Sequence, residues 1–249
     1  MSDQLVRLDI KNNIATITLN RPNVKNALND AAHEQLYDAF EEADERTDVR
    51  VIVLTGSGDA FCSGADLKSI DIKDMENFNY GRALRETYNK LITLMTHIGK
   101  PIIAHINGIA VGAGLSIALA CDYRVANKEA LFGLGFLKIG LVPDAGMSYF
   151  LPRLVGYPKA LELAVKENFS ANEALAMGLI NRIDHVEELI QKCLALPPTA
   201  FRLMKNNFRE SYDHHLAEIL EMEVTAQREA GESKEHRKAL EFFVNKGKR

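Results

Sequence analysis

One carboxylate in this 249-residue chain, Asp144, is placed where it could do acid/base chemistry. It follows Pro143 and precedes a predicted helix. A carboxylate can take up and return a proton, and its pKa rises when apolar neighbours remove it from water. We expect Leu141, Val142 and Phe136 to be those neighbours. Aspartate is also a frequent N-cap residue, so a structural role at the start of the helix is the alternative interpretation.

Two turns of small residues could stabilise the negative charge that such chemistry produces. One turn spans 63–67 around Ala65, and the other spans 112–114 around Ala113. Each presents backbone N–H groups where a helix is predicted to begin, and such groups bind negative charge on oxygen. Two donors directed at one oxygen form an oxyanion hole, in which each donor contributes about 2.7–4 kcal/mol. The alternative for 112–114 is that its small residues only allow close helix packing.

Other familiar chemistries lack their motifs. The seven histidines form no His-x-x-x-His pair, and Cys62, Cys121 and Cys193 show no Cys-x-x-Cys spacing, so we expect neither a metal site nor disulfides. Gly-x-Ser-x-Gly and P-loop motifs are absent from the sequence. The glycines at 112–114 fit a dinucleotide fingerprint poorly, because Ile117 stands where a third small residue is needed. We therefore expect no bound cofactor.

The composition is that of an ordinary globular protein. Apolar residues make up 47% of the chain and charged residues 26%, and the formal net charge is −4. This slight acidity gives no reason to expect nucleic acid as a partner. The longest apolar run, around 109–121, is too short to span a bilayer, and the polar first nine residues do not resemble a signal peptide. We expect a cytoplasmic protein with no membrane partner.

Alternating strands and helices must position these residues. Apolar patterns predict strands at 5–10, 14–19, 51–54, 102–106, 123–125 and 130–132, and helices at 29–45, 75–97 and 112–120. Beyond Val186 only helices are predicted, at 187–195, 198–210, 215–229 and 234–245. This pattern favours an α/β fold with a core domain over 1–190 and a helical C-terminal region over 191–249. In that region the stripe of Leu216, Ile219, Leu220 and Glu223 either packs on its own domain or forms a subunit interface.

An ordered set of short motifs resembles the crotonase family, also called the enoyl-CoA hydratase/isomerase family. The motifs lie at 20–22, 26–28, 51–56, 60–67, 100–101, 107–108, 112–114, 118–122, 132–133 and 151–156. They follow the order of the family from about residue 5 to residue 186, which makes the set specific. The resemblance implies a spiral of ββα units with a helical C-terminal trimerisation region. It also implies an acyl-CoA thioester as substrate, in which coenzyme A enters as part of the substrate, and assembly as a homo-oligomer (a trimer or a dimer of trimers).

The resemblance implies roles for individual residues as well. The backbone N–H groups of Ala65 and Ala113 would form the oxyanion hole for the thioester carbonyl. The residues that would hold the coenzyme A nucleotide are Lys25, Ala27, Ser63, Gly64, Asp66 and Leu67. Phe243 and Lys246 stand where the tail of a partner subunit often touches coenzyme A. The alternative for Lys25 is a solvated surface charge.

Two departures from the family decide which reaction we expect. Hydratases of this family carry two glutamates that activate water, and the corresponding positions here hold Ser116 and Phe136. A hydroxyl is a poor base near neutral pH, and a phenyl ring can only line an acyl pocket. Asp144 stands where many hydratases have glycine, and its segment resembles the epoxyphenylacetyl-CoA isomerase branch.

A single carboxylate suits isomerisation better than hydration. It can take a proton from C2 and return one to C4 while the oxyanion hole holds the dienolate. We therefore predict an acyl-CoA isomerase in which Asp144 shuttles the proton. The alternatives are an enoyl-CoA hydratase or other acyl-CoA lyase, and a catalytically silent protein that only binds acyl-CoA.

Overall fold

The structure is a computed structural model that describes residues 4–69 and 79–246. Its strands are β1 (Val6–Lys11), β2 (Ile14–Leu19), β3 (Val51–Gly56), β4 (Ala60–Cys62), β5 (Ile102–Ile106), β6 (Ile109–Val111), β7 (Tyr123–Ala126), β8 (Leu131–Gly133), β9 (Phe169–Ser170) and β10 (Arg182–Ile183). Its helices are α1 (Asp30–Glu45), α2 (Tyr80–Glu86), α3 (Tyr88–His97), α4 (Ala113–Ala120), α5 (Met147–Val155), α6 (Tyr157–Val165), α7 (Ala171–Ala176), α8 (Val186–Leu194), α9 (Pro198–Glu210), α10 (Leu216–Glu232) and α11 (Lys234–Lys246). These bounds confirm the predicted α/β class.

The strands form two sheets, and successive units of the chain contribute to both. In the described residues the larger sheet has the order β1-β2-β3-β5-β7-β10, and the smaller sheet has the order β4-β6-β8-β9. Three successive strand pairs each place one strand in each sheet and are followed by a helix: β3 with β4, β5 with β6, and β7 with β8. The chain therefore advances as a spiral of ββα units, which confirms the predicted architecture.

The central strand β3 is apolar on both of its faces. Ile52 and Leu54 join the main hydrophobic core, whereas Val51 and Val53 pack in a second cluster with residues that include Ile103. Its neighbours β2 and β5 both run parallel to it. A parallel strand that is covered on both faces needs no polar face, which explains the wholly apolar run in the sequence.

Local polar signals place the first elements where they were predicted. Asn12 and Asn13 turn the chain between β1 and β2 with φ angles of 53° and 64°, a conformation that asparagine tolerates better than most residues. Asn29 caps α1, because its side chain accepts a hydrogen bond from the Ala32 N–H at 3.0 Å. The predicted helix start is therefore confirmed.

The long helix predicted over 75–97 is broken at Thr87. Residues 75–78 lie outside the described residues, and the rest forms α2 and α3, between which Thr87 has φ −116° and ψ −88°. The Thr87 hydroxyl donates to the carbonyl of Ala83 at 2.7 Å, and a side chain that bonds to the preceding turn tends to bend a helix. After the break, Tyr88 is only 7% exposed.

A salt bridge joins the C-terminal helices to the sheet. Lys205 of α9 and the N–H of Ile102 both donate to the same carboxylate oxygen of Asp122, each at 2.8 Å.

Helix α10 packs on α9, yet Leu216 and Leu220 of its predicted stripe remain 74% and 50% exposed. Packing on its own domain therefore leaves much of this stripe uncovered. Within residues 4–69 and 79–246, no helix combines the length and the apolar character that crossing a membrane requires.

Candidate active site

The two turns predicted to bind negative charge lie side by side at one edge of the smaller sheet. They follow β4 and β6, which are parallel neighbours, so the carboxyl ends of the two strands meet. Gly64 in the first turn has φ 95°, and a Cβ added to it would lie 3.0 Å from the carbonyl oxygen of Val111 and 3.4 Å from the nitrogen of Ala113. The first turn therefore touches the start of α4.

Each turn leaves one backbone N–H without a partner among the described residues. Ala65 forms a parallel β-bridge to Leu28. In this bridge the Leu28 N–H donates to the carbonyl of Gly64, and the Asp66 N–H donates to the carbonyl of Leu28. The N–H of Ala65 therefore points away from Leu28. Ala113 is the first residue of α4, and the first N–H groups of a helix have no carbonyl partner within it. The two donors belong to adjacent turns, which is the arrangement that an oxyanion hole requires.

Glycine in the second turn lets α4 approach β4 closely. A Cβ added to Gly114 would lie 2.4 Å from the carbonyl oxygen of Cys62 and 2.7 Å from its Cβ. Gly112 is the N-cap of α4 and has φ 56°, a conformation that favours glycine. The small residues of this turn therefore serve close packing, and that same packing brings the N–H of Ala113 beside the first turn.

Backbone hydrogen bonds join Lys25 and its neighbours to the first turn. The Ser63 N–H donates to the carbonyl of Lys25 at 3.0 Å, and the Leu28 N–H donates to the carbonyl of Gly64 at 2.9 Å. Ala27 is buried between these bonds, whereas the side chain of Lys25 is exposed. The structure thus brings together the residues that the resemblance assigned to the coenzyme A nucleotide.

Asp66 uses its carboxylate within the protein. Arg21 donates to it at 2.8 Å and also donates to the carbonyl of Ala27. Through Arg21, Asp66 ties the first turn to the segment around Ala27. Leu67 follows in the chain and is 48% exposed. A ligand in this region would therefore meet the apolar surface of Leu67, while the side chain of Asp66 holds the turn in place.

The two positions where family hydratases carry glutamates are buried. Ser116 is fully buried in α4, and its hydroxyl donates to the carbonyl of Gly112 at 3.3 Å. Phe136 begins the 3-10 turn Phe136–Ile139 and belongs to the main hydrophobic core. Neither side chain can act as a base near neutral pH.

Asp144 is partly buried and does not cap a helix. Helix α5 begins at Met147 with Gly146 as its N-cap, and no side chain caps that end. The Oδ1 atom of Asp144 is buried and has no hydrogen-bond partner among the described residues. Burial raises the pKa of this carboxyl from 3.8 to about 6. The capping interpretation is therefore wrong, and the raised pKa suits proton transfer near neutral pH.

The surroundings of Asp144 differ in part from those predicted. Val142 is 73% exposed, because its segment lies at the surface, so the prediction that it buries Asp144 is wrong. Tyr88 at the start of α3 is a neighbour that the sequence did not indicate. Burial raises the pKa of Tyr88, and the negative charge of Asp144 raises it further. Tyr88 therefore lies within electrostatic reach of Asp144.

His33 is a second buried polar residue that sequence analysis missed. Its ring meets that of Tyr88 edge to face, with the centroids 4.0 Å apart and the planes at 78°. Burial lowers the pKa of His33 to about 4, so its imidazole is neutral at physiological pH. The available signal was a histidine on the face of α1 that also carries the buried residues Leu36 and Phe40.

The residues predicted to touch coenzyme A from a partner subunit lie on α11, which packs on α10. Phe243 is 72% exposed, and the side chain of Lys246 lies outside the described residues.

The three cysteines are buried and unpaired. In the part of the chain that the structure describes, no group of three His, Cys, Asp or Glu side chains could hold a metal ion.

Comparison with known proteins agrees with this architecture. The sequence model of the enoyl-CoA hydratase/isomerase family matches residues 9–249. A Rhodobacter capsulatus protein named "Probable enoyl-CoA hydratase" is 38% identical, over 99% of this chain and 97% of that protein. The 1,2-epoxyphenylacetyl-CoA isomerase of Escherichia coli is 31% identical, over 95% of this chain and 94% of that protein. The crystal structure of enoyl-CoA hydratase from Bacillus anthracis superposes with a TM-score of 0.87 at 32% identity, covering 98% of this chain and 97% of that one.

Proposed function

Because the chain belongs to the enoyl-CoA hydratase/isomerase family, we propose that it isomerises an acyl-CoA thioester. The reaction would shift an enoyl double bond or rearrange a related ring-bearing acyl group. The observation that carries this proposal is the carboxyl of Asp144, which is partly buried and has a raised pKa, and whose Oδ1 atom has no hydrogen-bond partner among the described residues. The similarity to the isomerase of Escherichia coli supports the same conclusion.

The proposed steps use two backbone donors and one carboxylate. The N–H groups of Ala65 and Ala113 donate to the thioester oxygen and stabilise the negative charge that develops when C2 loses a proton. Asp144 accepts that proton and returns one to C4, so a 3-enoyl thioester becomes a 2-enoyl thioester with no net change in atoms. A pKa of about 6 leaves Asp144 mostly ionised at neutral pH, and makes it a stronger base than an ordinary aspartate.

Coenzyme A enters this reaction as part of the substrate, and no separate cofactor is needed. Lys25, Ala27 and the turn from Ser63 to Leu67 would hold its nucleotide portion. We propose a homo-oligomer, a trimer or a dimer of trimers, in which Phe243 and Lys246 of a partner subunit reach the same coenzyme A. The exposed apolar residues of the last three helices support such an assembly, among them Phe208, Leu216, Val224, Leu240 and Phe243.

The test is turnover of 3-enoyl-CoA thioesters by Asp144→Asn and Asp144→Ala, followed by the ultraviolet absorbance of the conjugated product. Loss of a positioned acid/base should lower kcat by about 10²–10⁴-fold while acyl-CoA binding persists. Asp9→Asn on the exposed face of β1 is the matched control and should retain activity. Unchanged turnover in both Asp144 variants would exclude the proposed role.

Hydration of an enoyl-CoA is the second candidate function. The 38% identity to a protein named as a hydratase favours it, as does 31% identity to the short-chain-enoyl-CoA hydratase of Clostridium acetobutylicum. Against it stand Ser116 and Phe136, which supply no carboxylates to activate water. Mass spectrometry distinguishes the two reactions, because hydration adds the mass of one water and isomerisation adds none. Acyl-CoA binding without turnover would indicate a silent binder.

A further inference from the structure

Buried side-chain nitrogen and oxygen atoms without hydrogen-bond partners are concentrated in three residues. Among the described residues these atoms are the two ring nitrogens of His33, the hydroxyl of Tyr88 and Oδ1 of Asp144. The side chains of the first two are more than nine-tenths buried. Most buried polar groups in proteins have a hydrogen-bond partner, because leaving one unpaired destabilises the fold. Three such residues together require an explanation beyond packing.

The three residues form one cluster, and it lies beside the proposed reaction centre. Helices α1 and α3 pack on each other, which brings His33 against Tyr88. Ile92 lies one turn after Tyr88 on α3, and its Cγ2 would be 3.3 Å from a Cβ added to Gly146. Gly146 is two residues from Asp144, so α3 lies over the segment that carries the carboxylate.

The oxyanion turns also lie near this cluster, because α3 packs on α4, the helix that begins at Ala113. The start of α4 in turn packs on Cys62, the last residue of β4, which immediately precedes the first turn. Tyr88 is at the start of α3, and this helix packs both on α4 and on the segment that carries Asp144. An acyl group whose thioester oxygen sits at the turns and whose C2–C4 atoms face Asp144 would come close to this hydroxyl.

The chemistry of the cluster selects the kind of group that it can pair with. A neutral imidazole offers one N–H donor and one acceptor, and a tyrosine hydroxyl offers both as well. An anionic group would be repelled by the nearby carboxylate of Asp144, and a purely apolar group would leave the buried atoms unpaired. A neutral oxygen can form hydrogen bonds with the buried atoms of His33 and Tyr88 and is not repelled by the carboxylate of Asp144.

We propose that His33 and Tyr88 form a polar end of the acyl site that binds a neutral oxygen on the acyl group, such as a keto, ether or hydroxyl oxygen. The preferred substrates are then acyl-CoA thioesters that carry an oxygen beyond the thioester carbonyl. This inference rests on the proposed function for the position of the acyl group, and it adds two residues that determine specificity.

The test measures binding, so it does not depend on turnover. Calorimetry compares hexanoyl-CoA with 4-oxo- and 5-oxohexanoyl-CoA, and phenylacetyl-CoA with its 4-hydroxy derivative. At least one oxygenated thioester should bind about 10-fold or more tightly than its parent, because a site built to pair with an oxygen disfavours the analogue that lacks it. Tyr88→Phe and His33→Leu should each reduce that preference about 10-fold, while the unsubstituted parents bind as well as before or better.

Two controls separate this role from a structural one. Tyr157→Phe changes an exposed tyrosine and should leave the preference unchanged. Tyr88→Phe and His33→Leu should unfold at the temperature of the unmodified protein or above it, because each removes a buried polar atom without a partner. The proposal is overturned if no oxygenated thioester is preferred, if Tyr88→Phe weakens both members of a pair equally, or if either variant unfolds at a much lower temperature. Activity that survives in Asp144→Ala would reject the isomerase mechanism and leave this binding result standing.

Discussion

The raised pKa of Asp144 predicts that its ionisation destabilises the fold, and Asp144→Asn measures the effect. The carboxyl has a pKa of 3.8 in a model peptide and about 6 in the structure, because burial disfavours its charge. As pH rises from about 4 to 6, the unfolded chain gives up this proton while the folded chain still holds it. Rising pH therefore destabilises the fold through this window, and the effect levels off about one unit above the folded pKa, near pH 7. Asparagine cannot ionise, so the unfolding free energy of the variant does not fall with pH through this group.

The magnitude follows from the size of the shift. A shift from 3.8 to about 6 corresponds to about 3 kcal/mol at roughly 1.4 kcal/mol per pKa unit. Asp144 is only partly buried, and solvent screening reduces this to about 1–2 kcal/mol. Any cost of burying the asparagine amide is independent of pH. The difference in unfolding free energy between variant and unmodified protein should therefore grow by about 1 kcal/mol from pH 4.5 to pH 8.

The assay is urea unfolding followed by circular dichroism at half-unit pH steps and one fixed protein concentration, since an oligomer's stability depends on concentration. Asp9→Asn, at an exposed position on β1, controls for the substitution itself. The Asp144→Asn variant should gain stability relative to the unmodified protein above pH 6 and lose activity, as expected where a destabilising group serves function. A difference that stays constant across this range, or one that shrinks as pH rises, would refute it.

Three further predictions concern the second oxyanion turn and the salt bridge that joins the C-terminal helices to the sheet. Ala113→Pro should retain the fold, because proline is tolerated at the first position of a helix. The substitution removes one oxyanion donor, so steady-state kinetics should show kcat lowered by about 10²–10³-fold. Gly114→Ala should lower both the urea midpoint and the activity, because its Cβ would lie 2.4 Å from the carbonyl oxygen at the end of β4. The control is Gly231→Ala in α10, where an added Cβ meets nothing within 4 Å. This control should raise the unfolding free energy by up to about 1 kcal/mol. Lys205→Met should cost about 3 kcal/mol of unfolding free energy by leaving the carboxylate of Asp122 without its cation, and a loss below about 0.5 kcal/mol in urea unfolding would contradict this.

Most of the long elements could be predicted because their causes are local. The turn at Asn12 and Asn13, the cap at Asn29 and the apolar run of β3 each depend on residues close in sequence. The short strands β4, β6, β9 and β10 were not predicted, because two or three residues show no periodicity and each strand forms only where a distant neighbour pairs with it. The break at Thr87 also escaped prediction, since an apolar stripe continues across it.

By itself, the sequence determined the α/β class, the family resemblance, the absence of carboxylates at Ser116 and Phe136, and the presence of one at Asp144. Only the tertiary structure decided that the turns around Ala65 and Ala113 touch, because that contact depends on the pairing of β4 with β6 across about fifty residues. It also decided that Asp144 is partly buried rather than a cap, and that His33 and Tyr88 are buried as a pair, with Tyr88 within electrostatic reach of Asp144. Burial and electrostatic proximity are produced by the packing of distant elements, and no pattern of neighbouring residues specifies them.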